Sequence, residues 1–149
     1  MIYDDDRNIV LWTDIDGKKF FKLDLVTTVV DTYSLPRRLA AFALRPKGEK
    51  GYLCAWESSF QLYDIENDKA LSDMCVVSDI CEADFQRLND GRCDPEGRRF
   101  ICGGHREDRN KGKTTAVFYC EMVSGKLLCG KLQGVDIDGG VETSNSICF

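Results

Sequence analysis

Short runs rich in β-branched and aromatic residues, separated by turn residues, recur along this chain of 149 residues. No run shows the 3.6-residue periodicity of a helix, so the pattern predicts an all-β protein. The first runs are joined by a tight turn at Asp16 and Gly17, which is typical of a β-meander. Strands are predicted at residues 8–15, 19–25, 27–33, 39–44, 51–56, 60–64, 70–77, 99–102, 115–121 and 126–132.

Three of these segments also resemble one another. KLDLVT (22–27), LYDIEN (62–67) and FYCEMVSG (118–125) share apolar residues, an acidic residue and a turn. They recur at intervals of about 40 to 57 residues, and four short strands per interval is the signature of a β-propeller blade. A charged insertion at 107–115, which we interpret as a surface loop, explains the longer interval.

The repeats predict one partial β-propeller domain over residues 1–149. Its blade-like units fall at about 7–34, 38–78 and 87–133, and residues 144–149 begin a further blade.

Charge and hydropathy exclude several classes of partner. The net charge is −5 and basic residues cluster only in pairs such as Arg37 and Arg38, so we expect no nucleic-acid partner. No apolar run approaches the ~20 residues that cross a bilayer, so we expect no membrane contact. The acidic start, MIYDDDRN, does not resemble a signal peptide, and the sequence therefore predicts a cytoplasmic protein.

Eight cysteines could form four disulfides, but no C-x-x-C pair occurs and most lie in apolar segments. They are predicted to be free, buried thiols that act as small hydrophobic residues. A zinc site is rejected because His105 is the only histidine and no ligand spacing matches. A Ser-His-Asp triad would depend on the same residue, in a predicted charged loop, and is not favoured.

The segment QRLNDGRCDPEGRRFICGG (86–104) contains two predicted turns. The first, Arg-x-Asn-Asp-Gly, brings a cation, an amide and a carboxylate together, which is more polar chemistry than a simple connection needs. The second, Asp94 to Gly97, has proline at its second position and is interpreted as structural. Asp14, Asp16, Asp136 and Asp138 lack the rest of a calcium-binding loop and are predicted to be turn residues.

Three motifs resemble the regucalcin, gluconolactonase and luciferin-regenerating enzyme family, also called senescence marker proteins. They are YDDDRNIVLWTDIDGKKFFKLDL, RLNDGRCDPEGRRFICGG and TSNSICF, and the resemblance extends over nearly the whole chain. It implies a six-bladed β-propeller whose central cavity binds one divalent metal and hydrolyses sugar lactones or similar esters. This chain has about half the usual family length, which corresponds to three blades.

The resemblance also implies roles for four residues. Arg87 and Asn89 would hold the substrate, Glu107 would be a further cavity carboxylate, and Asn145 would be a metal ligand. Arginine and asparagine can hydrogen-bond a polyhydroxylated lactone, and an amide oxygen with carboxylates suits Ca²⁺, Mg²⁺ or Mn²⁺, with Zn²⁺ as a further candidate. Such a metal would polarise the lactone carbonyl and lower the pKa of a bound water.

The family's other metal ligands, including the carboxylate that serves as catalytic base, match no residue of this sequence. No catalytic residue is therefore assigned, and the chain alone is expected to be inactive.

Alternatives remain open for the site and for the function. Without the resemblance, Arg87 and Asn89 would be ordinary surface residues, and Glu107 could equally be a solvated side chain. The chain could be part of a metal-dependent lactonase, or a half-propeller that pairs with a copy of itself or another half. It could also be a propeller that binds a ligand without catalysis.

Overall fold

The computed structural model describes residues 1–81, 86–108, 115–134, 142–145 and 147–148. These residues form thirteen strands and one short helix. The elements are β1 (Ile2–Asp4), β2 (Ile9–Asp14), β3 (Lys19–Asp24), β4 (Val30–Ser34), β5 (Leu39–Leu44), β6 (Tyr52–Trp56), β7 (Ser59–Asp64), β8 (Lys69–Ala70), β9 (Cys75–Val76), α1 (Ser78–Cys81), β10 (Gln86–Cys93), β11 (Arg99–Arg106), β12 (Val117–Val123) and β13 (Lys126–Lys131).

In the described part of the chain the strands form three antiparallel sheets in sequence order. The first sheet has the order β1-β2-β3-β4, the second β5-β6-β7-β8, and the third β10-β11-β12-β13. Strand β9 also joins the second sheet by pairing with β7. Each sheet is therefore a meander of neighbouring strands, as the turn chemistry between the runs predicts.

The first strand of every sheet faces a common cavity of about 780 Å³. Its lining includes residues 1–3 from the β1 region, 40–44 from β5 and 90–93 from β10. Strands β5 and β10 also pack directly against each other. Sheets that present their first strands to one central space are the blades of a β-propeller, so the predicted fold class, an all-β partial propeller, is confirmed.

Two hydrophobic cores hold the three sheets together. One lies between the first and second sheets and includes Phe20, Phe42 and Tyr52; the other lies between the second and third and includes Phe60 and Phe100. The second sheet is thus covered on both faces. This explains the uninterrupted apolar run LAAFAL in β5, because a strand buried on both sides has no need for alternating polar residues.

Most predicted strands are present, but five local features differ from the prediction. Strand β1 and helix α1 were not predicted, and the predicted strand at 70–77 is two short strands, β8 and β9, separated by residues 71–74. Residues 86–93 form strand β10 rather than a turn. Strand β11 continues to Arg106, so His105 lies in a strand and not in a loop.

The predicted turns at Asp16–Gly17 and Asp94–Gly97 are confirmed, whereas Asp14, predicted to be a turn residue, is the last residue of β2. The Asp14 carboxylate accepts a hydrogen bond from the Gly17 N–H at 2.8 Å, and the Gly97 N–H donates to the Asp94 carbonyl at 2.9 Å. Gly97 has a φ of +66°, a conformation that glycine adopts without strain. Asp136 and Asp138 lie outside the described residues.

The cysteines are free thiols in the described chain, but only three are buried. Cys54, Cys102 and Cys120 are in the core, whereas three others are half-buried and two, Cys81 and Cys148, are exposed. The prediction of buried thiols is therefore right for the core positions alone. No helix among the described residues has the length and apolar character needed to span a membrane.

Candidate functional site

A β-bulge in strand β10 sets the direction of the side chains that the sequence analysis selected. Leu88 pairs with Gly104 and Gly91 pairs with Cys102, so that Asn89 and Asp90 both lie opposite Gly103. Bulges of this kind redirect side chains and occur often beside functional sites. Since Leu88 is completely buried, its neighbours Arg87 and Asn89 extend from the opposite side of the strand.

Two glycines in strand β11 allow Ser144 and Thr115 to pack closely against it. A Cβ atom at Gly103 would overlap the Ser144 side chain, and one at Gly104 would overlap Thr115. The Ser144 N–H donates to the Gly104 carbonyl at 3.0 Å, and the Arg106 N–H donates to the Glu142 carbonyl at 3.0 Å. Gly103, in the FICGG sequence, therefore leaves room for residues 142–145 to pack against strand β11.

Asn89 joins that segment to strand β10. Its Nδ2 group donates to the Ser144 carbonyl and to Asn145 Oδ1, both at 2.9 Å, while its Oδ1 accepts from Arg87 Nη1 at 2.7 Å. Arg87 and Asn145, which are far apart in the sequence, are thus linked through one amide side chain.

Glu107 extends the same cluster towards the other two sheets. Its Oε1 accepts from Arg87 Nε at 3.2 Å and from Arg38 Nη1 at 2.5 Å. Arg38 also contacts Glu57 through Nε at 2.7 Å and Asp16 through Nη1 at 3.6 Å. Because Asp16, Glu57 and Glu107 belong to turns or strand ends of the first, second and third sheets, Arg38 ties one end of all three together.

The two arginines set the protonation state of Glu107. Burial opposes ionisation of this carboxyl, but the hydrogen bonds and charges of Arg38 and Arg87 outweigh it and lower the pKa. The hydrogen bond to Glu107 in turn raises the pKa of Arg38. Glu107 is therefore an anion near neutral pH, which suits it to hold the arginines and not to donate a proton.

His105 lies at the edge of this cluster, opposite Arg87 in the β10–β11 ladder. Its Nδ1 atom is 2.7 Å from the Thr143 hydroxyl oxygen. Burial, together with the positive charge of Arg87, lowers the pKa of His105, so the imidazole is mainly neutral near pH 7.

The structure therefore brings the four selected residues, Arg87, Asn89, Glu107 and Asn145, into one connected cluster. Arg38, Glu57 and the His105–Thr143 contact were not predicted from the sequence. In the sequence, Arg38 stands out only because it follows another arginine, Arg37. Its partner Glu107 is 69 positions away. No local pattern in the sequence indicates that contact.

The described residues do not, by themselves, fit the divalent metal that the resemblance implies. Within them, no group of three His, Cys, Asp or Glu side chains is placed to hold a metal ion. The Asn145 amide oxygen accepts a hydrogen bond from Asn89, and the Glu107 carboxylate is held by two guanidinium groups. One amide oxygen is too few ligands for a divalent cation, so no chemical step is assigned to a metal here.

The four selected residues are not among those that line the central cavity, but strand β10 connects the cluster to it. Strand β10 contributes residues 90–93 to the cavity lining, starting directly after Asn89. Ile147 and Cys148, which follow Asn145 by two and three residues, also line the cavity. A partial β-propeller with a polar cluster on a strand that also lines its central cavity is the class of protein that these features define.

The sequence matches the family described as the SMP-30/gluconolactonase/LRE-like region over residues 1–149. The chain belongs to this family. The family resemblance carried by the three sequence motifs is therefore confirmed.

Among curated proteins, the chain is similar to 6-deoxy-6-sulfogluconolactonase of Pseudomonas putida, with 33% identity over 113 residues, which are 74% of this chain and 37% of that protein. It is also similar to regucalcin of Oryctolagus cuniculus, with 26% identity over 96% of this chain and 46% of that protein. The chain thus spans less than half the length of these relatives.

Two solved structures share the fold. A luciferin-regenerating enzyme superposes with a TM-score of 0.66 at 15% identity, covering 87% of this chain and 43% of that protein. A calcium-binding protein, regucalcin, from Agrobacterium tumefaciens superposes with a TM-score of 0.61 at 21% identity, covering 84% and 39%. At these identities the likeness concerns the fold alone.

Proposed function

We propose that this chain supplies part of the substrate-binding surface of a sugar-lactone hydrolase. Its family contains gluconolactonases, and one relative is named for a sulfogluconolactone. The observation that carries the proposal is the cluster of Arg87, Asn89, Glu107 and Asn145 at the bulge of β10, the strand whose residues 90–93 line the central cavity.

Arg87 has the donors that a lactone carbonyl or ring oxygen requires. Its Nε–H is used by Glu107, and the two N–H groups of Nη1 are used by the Leu88 carbonyl and Asn89 Oδ1. The two N–H groups of Nη2 have no partner among the described residues. Because the side chain is only 11% exposed and held on two sides, it would bind a ligand with little further loss of entropy.

Asn145 offers a second pair of donors. Its Oδ1 is occupied by Asn89, while its Nδ2 has no partner in the described part of the chain. Hydroxyl groups of an aldonolactone could accept from this amide while Arg87 holds the ester group. Glu107 and Asn89 would then act as positioning residues that fix the donors.

Hydrolysis itself requires groups that the described residues do not supply. The divalent metal proposed from the resemblance would need ligands in addition to Asn145. We therefore expect the 149-residue chain to bind a sugar lactone weakly but not to accelerate its hydrolysis.

The test is to measure both properties on the same protein. Binding of freshly dissolved D-glucono-1,5-lactone is followed by saturation-transfer NMR, and hydrolysis by pH-stat in the presence of Ca²⁺ or EDTA. We expect a saturation-transfer signal that Arg87→Ala reduces at least threefold and that Arg98→Ala, at an exposed arginine on the following turn, leaves unchanged. No signal, or equal signals from both variants, would refute the substrate-binding role.

The pH-stat arm tests the conclusion about the metal. Hydrolysis at the spontaneous rate with either addition is the expected result. Hydrolysis by the chain alone that needs Ca²⁺ and stops with EDTA would show that the conclusion about the ligands is wrong.

A non-catalytic half-propeller that assembles with a copy or another half is the second candidate. It is favoured by the first strands of all three sheets facing a shared cavity, which a partner could complete. We also infer one domain whose blades cover about 7–34, 38–78 and 87–133, with a further blade starting at 144–149. Light scattering separates the candidates, because a stable folded monomer at all concentrations would exclude self-assembly.

A further inference from the structure

Two thiols meet where the outer strands of the second and third sheets pack together. Cys75 lies in β9 and Cys129 lies in β13, strands that are in contact across the two sheets. The Cys75 S–H donates to Cys129 Sγ with a sulfur–sulfur distance of 2.9 Å, and the Cys129 S–H donates to the Val76 carbonyl at 3.3 Å.

This contact differs from ordinary packing of cysteine in a core. The core cysteines Cys54 and Cys102 are fully buried, whereas Cys75 and Cys129 are only half-buried and can be reached by a small reagent. Their sulfurs need to approach by only about 0.9 Å to reach the ~2.05 Å length of a disulfide bond. The two residues are 54 positions apart, so a bond between them would close a long loop.

We propose that Cys75 and Cys129 are a modification site that forms a reversible disulfide by exchange with a low-molecular-weight disulfide such as oxidised glutathione. The bond would join the second sheet to the third. This inference is independent of the proposed lactone site.

The exchange proceeds in two displacements. One protein thiolate attacks a sulfur of oxidised glutathione, breaks its S–S bond and expels one glutathione thiolate, which leaves a mixed disulfide on the protein. The second protein thiolate then attacks the protein sulfur and expels the second glutathione thiolate. The two protons lost by the protein thiols are taken up by the two glutathione thiolates, so two protein thiols are oxidised and one glutathione disulfide is reduced.

The environment of the pair predicts a slow reaction. Burial, with the neighbouring Cys75 thiol, raises the pKa of Cys129 to about 12, so little of its thiolate is present near neutral pH. Since exchange depends on thiolate, we expect disulfide formation over minutes to hours. Once formed, the bond restricts the unfolded chain and should raise the Tm by about 10 °C.

The experiment treats the folded 149-residue protein with oxidised glutathione, blocks the remaining thiols, and identifies linked peptides by mass spectrometry without reduction. We expect a Cys75–Cys129 peptide, a mass loss of two hydrogen atoms, and a Tm increase that dithiothreitol reverses. Cys129→Ser should abolish the linked peptide and the Tm increase. Cys148→Ser, which alters an exposed cysteine, should leave both unchanged.

Other outcomes of the same experiment would contradict the proposed disulfide. Stable glutathione adducts without a Cys75–Cys129 bond, or links that join other cysteines in the folded protein, would overturn the proposal. If Cys129→Ser does not fold, the linked peptide and the reversible Tm shift of the unaltered protein still show whether the Cys75–Cys129 disulfide forms. Formation of the same bond with no change in Tm would refute the claim that it ties the two sheets together.

Discussion

Replacing Glu107 with glutamine tests the electrostatic centre of the candidate site. The substitution keeps the size of the side chain but removes the charge that lies between Arg38 and Arg87. The contact with Arg38 is short, at 2.5 Å, the contact with Arg87 is 3.2 Å, and the two arginine side chains are 28% and 11% exposed. We therefore expect a larger effect than an exposed salt bridge gives.

The magnitude follows from these exposures. Fully exposed ion pairs contribute about 0.2–1 kcal/mol, and hydrogen bonds to charged groups contribute about 1.5–3 kcal/mol. Because Glu107 is itself 36% exposed and glutamine still offers one acceptor oxygen, we expect a loss of about 1–2 kcal/mol in the free energy of unfolding. For a chain of this size, the Tm should fall by about 2–8 °C.

The effect should depend on pH in one direction. Arg38 and Arg87 lower the pKa of Glu107 below that of an unfolded glutamate, despite the opposing effect of burial. The stabilisation is therefore complete above the unfolded pKa of about 4.3 and is lost as the pH falls through the lower folded value. The difference between the original protein and Glu107→Gln should shrink between pH 5 and pH 3.

Urea unfolding followed by tryptophan fluorescence measures the free energy of unfolding and, when repeated at several pH values, its dependence on pH. Glu96→Gln is the matched control, because Glu96 pairs with Arg98 at 3.4 Å with both side chains more than half exposed, and should change stability by less than about 0.5 kcal/mol. Equal effects of the two substitutions at pH 7, or a Glu107→Gln effect that persists unchanged at pH 3, would contradict this reasoning.

Three further predictions concern the elements that hold the site. Asn89→Ala removes the bond to the Ser144 carbonyl and should cost about 1–2 kcal/mol, with faster amide hydrogen exchange at Ser144. Phe100→Ala deletes an edge-to-face contact with Phe60 between the second and third sheets and should cost about 3–5 kcal/mol in urea unfolding. Gly91→Ala places a methyl group 2.7 Å from the Phe100 ring, and we expect a Tm lower by several degrees.

Most of the strands could be predicted because their local chemistry is unambiguous. Runs of β-branched and aromatic residues that flank an Asp-Gly turn define β2 and β3 without tertiary information. The proline-containing turn that follows β10 is defined locally in the same way. The nature of β10 could not be predicted in this way. Asn, Asp and Gly favour turns and bulges alike, and pairing with β11 selects the bulge.

The candidate site was accessible to sequence analysis only through the family motifs. They indicated Arg87, Asn89, Glu107 and Asn145, and the structure brings these residues together. Arg38 could not be found, because its contacts with Glu107 depend on how the sheets pack and leave no periodic signal in the chain. The Cys75–Cys129 contact is hidden for the same reason, since it joins strands of different sheets.

The central claim is that a sugar lactone binds at the bulge of β10, and side-chain NMR tests it most directly. The chain is labelled with ¹⁵N and titrated with D-glucono-1,5-lactone while the Arg87 Nε–H and the Asn89 and Asn145 amide signals are followed. We predict saturable shifts of these signals together, with the exposed Arg98 Nε–H unaffected. Shifts confined to other parts of the chain, or none at millimolar lactone, would contradict the claim.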